Sequence, residues 1–272
     1  MTILAERKLG FIGGGNMAEA IIKGLCAGGV AAAAITVAEP VAARREYLAA
    51  SYGVRVSPDN GTVLADCDTV VIAVKPQVFS GMIAGLERPA LQEKLLISIM
   101  AGVTIDAIED ACAGPVRVVR VMPNTPALVL AGATAICRGG AAGDADLACA
   151  RQIFELVGTV CEVEEKLMDA VTGLSGSGPA YVFTFVEALA DAGVKNGLPR
   201  ETANRLAIQT VLGAARLLSD SGDHPAVLRD KVTSPGGTTI AAQAALERHG
   251  FRSAVLAAVD AAVARSAELG RK

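Results

Sequence analysis

The sequence predicts an α/β protein in which an N-terminal, doubly wound parallel sheet is followed by an all-helical C-terminal domain. Short apolar runs alternate with amphipathic stretches from residue 8 to about residue 164, which is the pattern of βαβ units. After residue 165 the strand patterns stop and apolar helices follow. Of the 272 residues, 52% are hydrophobic but only 3% are aromatic, which favours buried parallel strands and close-packed helices. We therefore predict two domains, residues 1–164 and 165–272.

The N-terminal half carries eight apolar runs of strand length. They predict strands at Leu9–Gly13, Ile35–Ala38, Val54–Val56, Thr69–Val74, Leu95–Met100, Val116–Val121, Ala133–Cys137 and Thr159–Val163. Helical periodicity predicts helices at Asn16–Ala27, Val41–Ser51 and Asp144–Val157, and a further helix begins at Pro76.

The C-terminal half contains five predicted helices: Pro179–Lys195, Pro199–Leu218, Pro225–Lys231, Thr238–Arg248 and Phe251–Glu268. Over residues 179–192 the first of them is hydrophobic almost all round, so we expect it to be buried on more than one side. About 105 residues of helix offer little interior for that, and we predict a subunit interface in a homo-oligomer. The alternative is a core helix within one monomer.

Composition excludes several classes of function. A net charge of −3 disfavours a general nucleic-acid binder or a polybasic membrane protein. We expect no transmembrane span, because the longest apolar stretch is short, and no signal peptide, because residues 1–8 lead directly into a strand. The six cysteines are scattered without a C-x-x-C pair and there are only two histidines, so we expect reduced thiols, no metal site and a cytoplasmic protein.

A glycine-rich turn follows the first predicted strand. The stretch Leu9–Ala18 fits G-x-G-x-x-A on Gly13, Gly15 and Ala18, between a strand and a helix. Gly13 permits the tight turn, Gly15 lets the backbone approach a pyrophosphate, and Ala18 lets the helix pack on the strand. This context predicts a Rossmann-type dinucleotide site; the alternative is a purely structural turn.

The second strand ends in an acidic residue, as expected for a partner of the adenosine ribose. Glu39 by itself favours NAD, because its charge repels a 2′-phosphate. Arg44 and Arg45 follow, and they either clamp a 2′-phosphate or form a solvated helix face. These residues leave the choice between NAD and NADP open.

Three more strand ends point to the same edge of the predicted sheet, where ligands bind in doubly wound folds. They are Ala73–Pro76, Met100–Gly102 and Met122–Pro126. Ala101 and Gly102 are small enough for a nicotinamide to approach closely. Lys75 is either a cation at the crevice or a surface charge.

A hydroxyl- and glycine-rich loop, Val232–Ile240, precedes a helix in the C-terminal half. Backbone amides at a helix N-terminus bind anions, and the hydroxyls of Ser234, Thr238 and Thr239 suit a small carboxylate. The alternative is an N-cap supplied by Thr238 or Thr239. A similar loop, Leu174–Pro179, precedes the longest helix and either aids helix packing or lines the same pocket.

The sequence resembles the Δ1-pyrroline-5-carboxylate reductase family over essentially its whole length. The resemblance lies in Phe11–Met17, Ala73–Pro76, Val121–Pro126, Ser175–Tyr181, His224–Pro225 and Ser234–Thr239. It implies reduction of the cyclic imine pyrroline-5-carboxylate to proline with NADPH or NADH, the last step of proline synthesis. It also implies a Rossmann domain, a helical domain that interlocks two subunits, and dimers that commonly assemble into a decamer.

The same resemblance implies roles for individual residues. Cofactor-binding residues would be Ile12, Gly13, Gly14, Gly15, Asn16 and Met17 at the phosphates, Ala73, Val74, Lys75 and Pro76 near the nicotinamide ribose, and Asn60 on the adenosine side. The substrate carboxylate would be held by Ser234, Gly236, Gly237, Thr238 and Thr239, with Ser175 a further candidate. Thr239 would lie nearest the ring nitrogen and is the catalytic candidate. Glu39–Pro40 stands where many relatives have a small or hydroxyl residue.

The chemistry of the residues agrees with an imine substrate. Related 3-hydroxyacid dehydrogenases use a lysine within the long interdomain helix as proton donor, whereas residues 179–192 contain none and the first is Lys195. An iminium ion needs no such acid, because protonation can precede hydride transfer. The enzyme alternative is a 3-hydroxyacid dehydrogenase, and the non-enzymatic alternative is a cofactor-binding regulator, which would need only the N-terminal half.

Overall fold

The computed structural model describes residues 3–270, and it confirms a Rossmann-like sheet followed by helices. Within this range all eight predicted strands are present, with bounds that differ from the prediction by at most two residues. The strands are β1 Leu9–Ile12, β2 Ile35–Ala38, β3 Arg55–Ser57, β4 Thr69–Ile72, β5 Leu95–Ser98, β6 Arg117–Met122, β7 Gly132–Arg138 and β8 Gly158–Glu162.

Helices connect the strands and make up the rest of the chain. They are α1 Asn16–Ala27, α2 Ala42–Tyr52, α3 Asn60–Asp66, α4 Pro76–Ala84, α5 Arg88–Gln92, α6 Ile105–Ala111, α7 Asp144–Glu155, α8 Met168–Val171, α9 Gly178–Lys195, α10 Arg200–Ser221, α11 Pro225–Lys231, α12 Thr238–Arg248 and α13 Phe251–Gly270. None of the helices among residues 3–270 combines the length and apolar character needed to cross a membrane.

The predicted doubly wound parallel sheet is confirmed, but it contains one antiparallel pair that was not predicted. Its strand order is β3-β2-β1-β4-β5-β6-β7-β8, and β7 runs antiparallel to β6. A parallel pair needs a crossover of a dozen or more residues, usually a helix. The link between β6 and β7 is only a short 3₁₀ segment, Thr125–Val129, so the chain turns back on itself.

Two apolar clusters cover the two faces of the sheet. Consecutive side chains of a strand point to opposite faces, and accordingly Phe11 belongs to one cluster and Ile12 to the other. Strands β1, β2, β4 and β5 are buried at every position. This explains why continuous apolar runs, rather than alternating ones, identified them in the sequence.

The contacts within the chain divide it into two compact units. The first comprises Met1–Ser177 together with Ala261–Lys272, and the second comprises Gly178–Asp260. Helix α13 therefore begins in the second unit and ends in the first. Its last turn packs on Gly102 (φ +76°), and Ser266 Oγ donates a 2.6 Å hydrogen bond to Asp169 Oδ1.

The prediction of a loop at Leu174–Pro179 is wrong in part, because the first residues of this stretch are helical. Thr172–Gly176 forms a π-helical turn that continues α8, and the amide of Ser177 donates to the carbonyl of Thr172 at 2.8 Å. The hydroxyl of Ser175 donates to the Val171 carbonyl at 3.1 Å. Such turns are rare and often lie at functional sites.

Candidate active site

The glycine-rich turn between β1 and α1 has the shape that phosphate binding requires. Gly13 adopts φ +98°, and a Cβ there would lie 2.7 Å from the carbonyl oxygen of Ala73, so only glycine fits. Gly15 is the N-cap of α1, and a Cβ there would meet no atom within 4 Å. The first amide of α1 with a helical partner is that of Glu19, which donates to Gly15. The amides of Asn16, Met17 and Ala18 have no acceptor among residues 3–270 and point to an anion site at this helix start.

A cleft of about 340 Å³ gathers residues from four strand ends. It is lined by Gly15, Asn16, Met17, Ala73, Val74, Lys75, Pro76, Ile99, Met100, Ala101, Met122 and Pro123. The structure thus brings together the cofactor candidates from Gly15 to Met17, Ala73 to Pro76, and Ala101. Gly102 lies outside this lining and packs on α13 instead. Ile99 lines the cleft although the sequence analysis did not single it out as a site residue.

Glu39 fastens the glycine-rich turn to the start of α2. One carboxylate oxygen accepts from the amide of Gly14 and the other from the amide of Val41, both at 2.9 Å. Asn60 begins α3, directly after the strand that pairs with β2, so it lies at the same edge of the sheet. These residues fit the adenosine end of a dinucleotide.

The two arginines of α2 are engaged with other protein groups. Arg44 donates to the Gly14 carbonyl and to a carboxylate oxygen of Glu19, both at 2.6 Å. Its guanidinium also lies over the ring of Tyr47, 5.1 Å from the centroid. Arg45 donates to the carbonyls of Glu39 and Pro40 at 2.7 and 2.9 Å.

Glu19 is the centre of this polar cluster. The hydroxyls of Tyr47 and Tyr52 both donate to its Oε1 at 2.8 Å, while Arg44 binds Oε2. Partial burial opposes ionisation, but the hydrogen bonds from these three side chains outweigh it and hold the pKa of Glu19 below its ordinary value. Burial and the same hydrogen bond raise the pKa of Tyr52. Glu19 is therefore an anion at neutral pH.

Asn124 is a buried polar residue that the sequence analysis did not single out. Its Nδ2 donates to the Ser175 carbonyl at 3.1 Å, and its Oδ1 accepts from the Ala133 amide at 2.9 Å. It therefore joins the end of β6, the start of β7 and the π-helical turn. An asparagine between two prolines in the stretch Met122–Pro126 is the signal that could have indicated it.

In the second unit, the turn before α12 also depends on glycine. Gly236 adopts φ +68°, and a Cβ on Gly237 would collide with the hydroxyl of Ser234. The amide of Gly237 donates to the Ser234 carbonyl at 3.1 Å, which closes the turn.

Thr238 and Thr239 do not cap α12. Gly237 is the N-cap, and no hydroxyl hydrogen bond of either threonine is found among residues 3–270. The N-cap alternative for these hydroxyls is thus wrong. Ser234, Gly236 and Thr238 are exposed, and Gly237 and Thr239 are half-buried, so the loop is open to a ligand.

Helices α9 and α10 carry exposed apolar side chains. Ala190 is the one buried residue of α9, whereas Phe183 is 66% exposed. A groove of about 1070 Å³ runs between the two helices, lined by Val182, Phe183, Thr184, Val186, Glu187, Ala190, Asp191, Arg200, Asn204, Ile208, Val211, Leu212 and Ala215. The single chain does not bury this surface, which disfavours a core helix within one monomer.

Two family descriptions match the chain. "Pyrroline-5-carboxylate reductase dimerisation" matches residues 165–269, and "NADP oxidoreductase coenzyme F420-dependent" matches residues 8–102. The pyrroline-5-carboxylate reductase of Synechocystis sp. is 53% identical over 97% of this chain and 99% of its own length. That of Methanosarcina acetivorans is 46% identical over 99% of this chain and all of its own length. The structure of the Plasmodium falciparum pyrroline carboxylate reductase with NADP bound is 34% identical, covers 98% of this chain and 99% of that one, and superposes with a TM-score of 0.89.

Proposed function

The chain belongs to the pyrroline-5-carboxylate reductase family and is an NAD(P)H-dependent oxidoreductase, and from this premise we propose how its residues reduce 1-pyrroline-5-carboxylate to L-proline. The observation that carries the proposal is a pair of glycine-containing turns, each of which leads into the N-terminus of a helix, one at α1 and one at α12. Both turns are candidate anion sites. They match the two anionic groups involved, the cofactor pyrophosphate and the substrate carboxylate.

The chain's own groups would hold the dinucleotide in the cleft at the strand ends. The amides of Asn16 and Met17 would bind the pyrophosphate, and the open space at Gly15 lets it approach. Ala73 to Pro76 would flank the nicotinamide ribose, with Ala101 near the ring. Bound NAD(P)H supplies the hydride.

The loop from Ser234 to Thr239 would anchor the substrate carboxylate on the amides of Thr238 and Thr239, because the amide of Gly237 already donates to the Ser234 carbonyl. Thr239 has a hydroxyl with no protein hydrogen bond among the described residues, so it is free to bind the ring nitrogen as that nitrogen becomes an amine. Because an iminium ion arrives protonated, the chain needs to orient the ring rather than donate a proton to it. Ser175 is a weaker substrate candidate, since its hydroxyl already donates to Val171.

We further propose that the functional unit is a homodimer, in which the apolar groove of α9 and α10 is covered by a second copy. The dimerisation family match over residues 165–269 and the exposed Phe183 support this. That match also supports a functional boundary at residue 165. A decamer of five dimers and a cytoplasmic location are further proposals that rest on the family resemblance alone.

The decisive experiment follows the absorbance of NADPH and NADH at fixed enzyme with pyrroline-5-carboxylate, and identifies proline as the product by chromatography. A 3-oxo acid serves as the competing substrate, because the dehydrogenase alternative requires it. We expect oxidation of the cofactor with the imine alone. Turnover of the 3-oxo acid without turnover of the imine would overturn the proposal.

A further inference from the structure

The adenosine end of the cofactor site contains a charge arrangement that distinguishes NADH from NADPH. We propose that this chain prefers NADH, because Glu39 presents a negative charge to the ribose and Glu19 holds Arg44 away from a 2′-phosphate. Glu39 is then a specificity-determining residue, and Glu19 is a positioning residue that acts through Arg44. The inference rests on the proposed cofactor site and not on the identity of the substrate.

The carboxylate of Glu39 is fixed before any cofactor binds. The amides of Gly14 and Val41 each donate to one of its oxygens at 2.9 Å. A carboxylate has about four acceptor positions, so two remain for the vicinal hydroxyls of a ribose. A 2′-phosphate offers acceptors only and carries about −1.5 to −2 charge at pH 7, so it is repelled.

Arg44 is the first cation after β2, and its position suits a 2′-phosphate clamp. Its guanidinium, however, is 2.6 Å from the Glu19 carboxylate and 2.6 Å from the Gly14 carbonyl. The side chains of Arg44 and Glu19 are only 24% and 16% exposed. Moving Arg44 onto a phosphate would leave Glu19 charged, partly buried and without its cation, which is unfavourable.

Arg45 is the one group here that favours NADPH. It donates to the carbonyls of Glu39 and Pro40, and within residues 3–270 it pairs with no carboxylate. Its single charge is offset by the adjacent Glu39, which explains why we expect NADH to bind more tightly.

The test measures the affinities for NADH and NADPH by fluorescence titration without substrate, and kcat/KM for both cofactors in parallel. The wild type should bind NADH at least about tenfold more tightly than NADPH, with a ratio that falls as salt is added. Glu39→Gln should shift the ratio towards NADPH by about tenfold or more. In Glu39→Gln the new side-chain NH2 group would face one of the two backbone N–H groups that now donate to Glu39. Glu39→Ser avoids this clash and provides a second variant.

Two further variants separate the parts of the proposal. Glu19→Gln should release Arg44 and shift the ratio towards NADPH, whereas Arg45→Gln should shift it towards NADH. Glu46→Gln is the matched control, since Glu46 is an exposed carboxylate on the same helix, and its ratio should equal that of the wild type.

The outcomes are distinguishable. Equal or tighter binding of NADPH by the wild type would overturn the stated preference. An unchanged ratio in Glu19→Gln would overturn the role of Glu19, and an unchanged ratio in both Glu39 variants would overturn that of Glu39. If the binding ratios shift as expected but pyrroline-5-carboxylate is not reduced, the inference on the cofactor stands and the proposed substrate fails.

Discussion

The side-chain amide of Asn124 donates a hydrogen bond to the carbonyl oxygen of Ser175, 51 positions later in the chain. The Nδ2–O distance is 3.1 Å, and Asn124 is only 8% exposed. Because its Oδ1 also accepts from Ala133, one side chain satisfies two backbone groups from different segments. It fixes the π-helical turn against the end of β6, which lines the cleft of about 340 Å³.

Asn124→Asp keeps an acceptor for the Ala133 amide but removes the donor to Ser175 and places a carboxylate against its carbonyl oxygen. We expect the free energy of unfolding to fall by about 1–3 kcal/mol, as measured by urea denaturation. Asn196→Asp is the matched control, because Asn196 also donates to a carbonyl, that of Ala192, but is exposed. Its cost should be within about 0.5 kcal/mol, and equal costs would contradict the role of burial.

Substitution by valine at two glycines of one turn should affect different properties, cofactor affinity at Gly15 and stability at Gly13. Gly15→Val places its side chain in open space, so thermal stability should stay near that of the wild type while cofactor affinity falls tenfold or more, which is about 1.4 kcal/mol. Gly13→Val should destabilise the protein by more than about 2 kcal/mol, because of its φ of +98° and the Ala73 carbonyl. Calorimetry and fluorescence titration check both. Unchanged affinity in Gly15→Val would place the pyrophosphate elsewhere.

Thr239→Val removes a hydroxyl and keeps the volume and branching of the side chain. If Thr239 binds the substrate nitrogen more strongly in the transition state, kcat/KM should fall by roughly 5- to 150-fold, equivalent to about 1–3 kcal/mol. Tm should not change, because the hydroxyl bonds no described protein group. Thr238→Val is the comparison, and we expect a smaller loss. A Tm decrease with normal kinetics would remove Thr239 from the site.

Phe183→Glu tests the interface on α9. Phe183 is 66% exposed in the single chain, so a glutamate at this position is tolerated in a monomer. In the proposed dimer its carboxylate would be buried without a partner, which is unfavourable. Light scattering should show a wild-type dimer or larger assembly and a monomeric or aggregated variant. The control is Val129→Glu, at an apolar residue of the first unit that is 72% exposed, and this variant should keep the wild-type mass. A monomeric wild type would contradict the interface.

The depressed pKa of Glu19 predicts part of the acid sensitivity. Its carboxylate contributes stability above its unfolded pKa, near 4.5, and this contribution is lost as pH falls through the lower folded value. Glu19→Gln should therefore have a lower Tm at pH 7 and a smaller further decrease between neutral pH and pH 3. Parallel Tm-against-pH curves for the two proteins would show that the carboxylate is not coupled to folding.

Much of the fold was predictable because the relevant patterns are local. Fully buried strands give continuous apolar runs, and the turn at Gly13 and Gly15 lies within ten residues. The direction of a strand is not determined locally. The residues of β7 do not indicate that it is antiparallel to β6, and the only indication is the short connection between the two strands. The sequence did not show whether Arg44 binds a 2′-phosphate or another group, because its partner Glu19 lies 25 positions earlier. Asn124 was missed because its partners are in other segments.

The return of α13 has a consequence for how the protein is made. Residues 261 to 270 belong to the unit that begins at the N-terminus, with Ser266 bonded to Asp169 and the final turn against Gly102. On the ribosome these residues emerge after residues 178–260, so the first unit cannot complete its contacts until the second unit has been synthesised. Completion of the first unit thus depends on synthesis of the second, and a chain that stops after residue 260 lacks the Ser266–Asp169 hydrogen bond and the packing on Gly102.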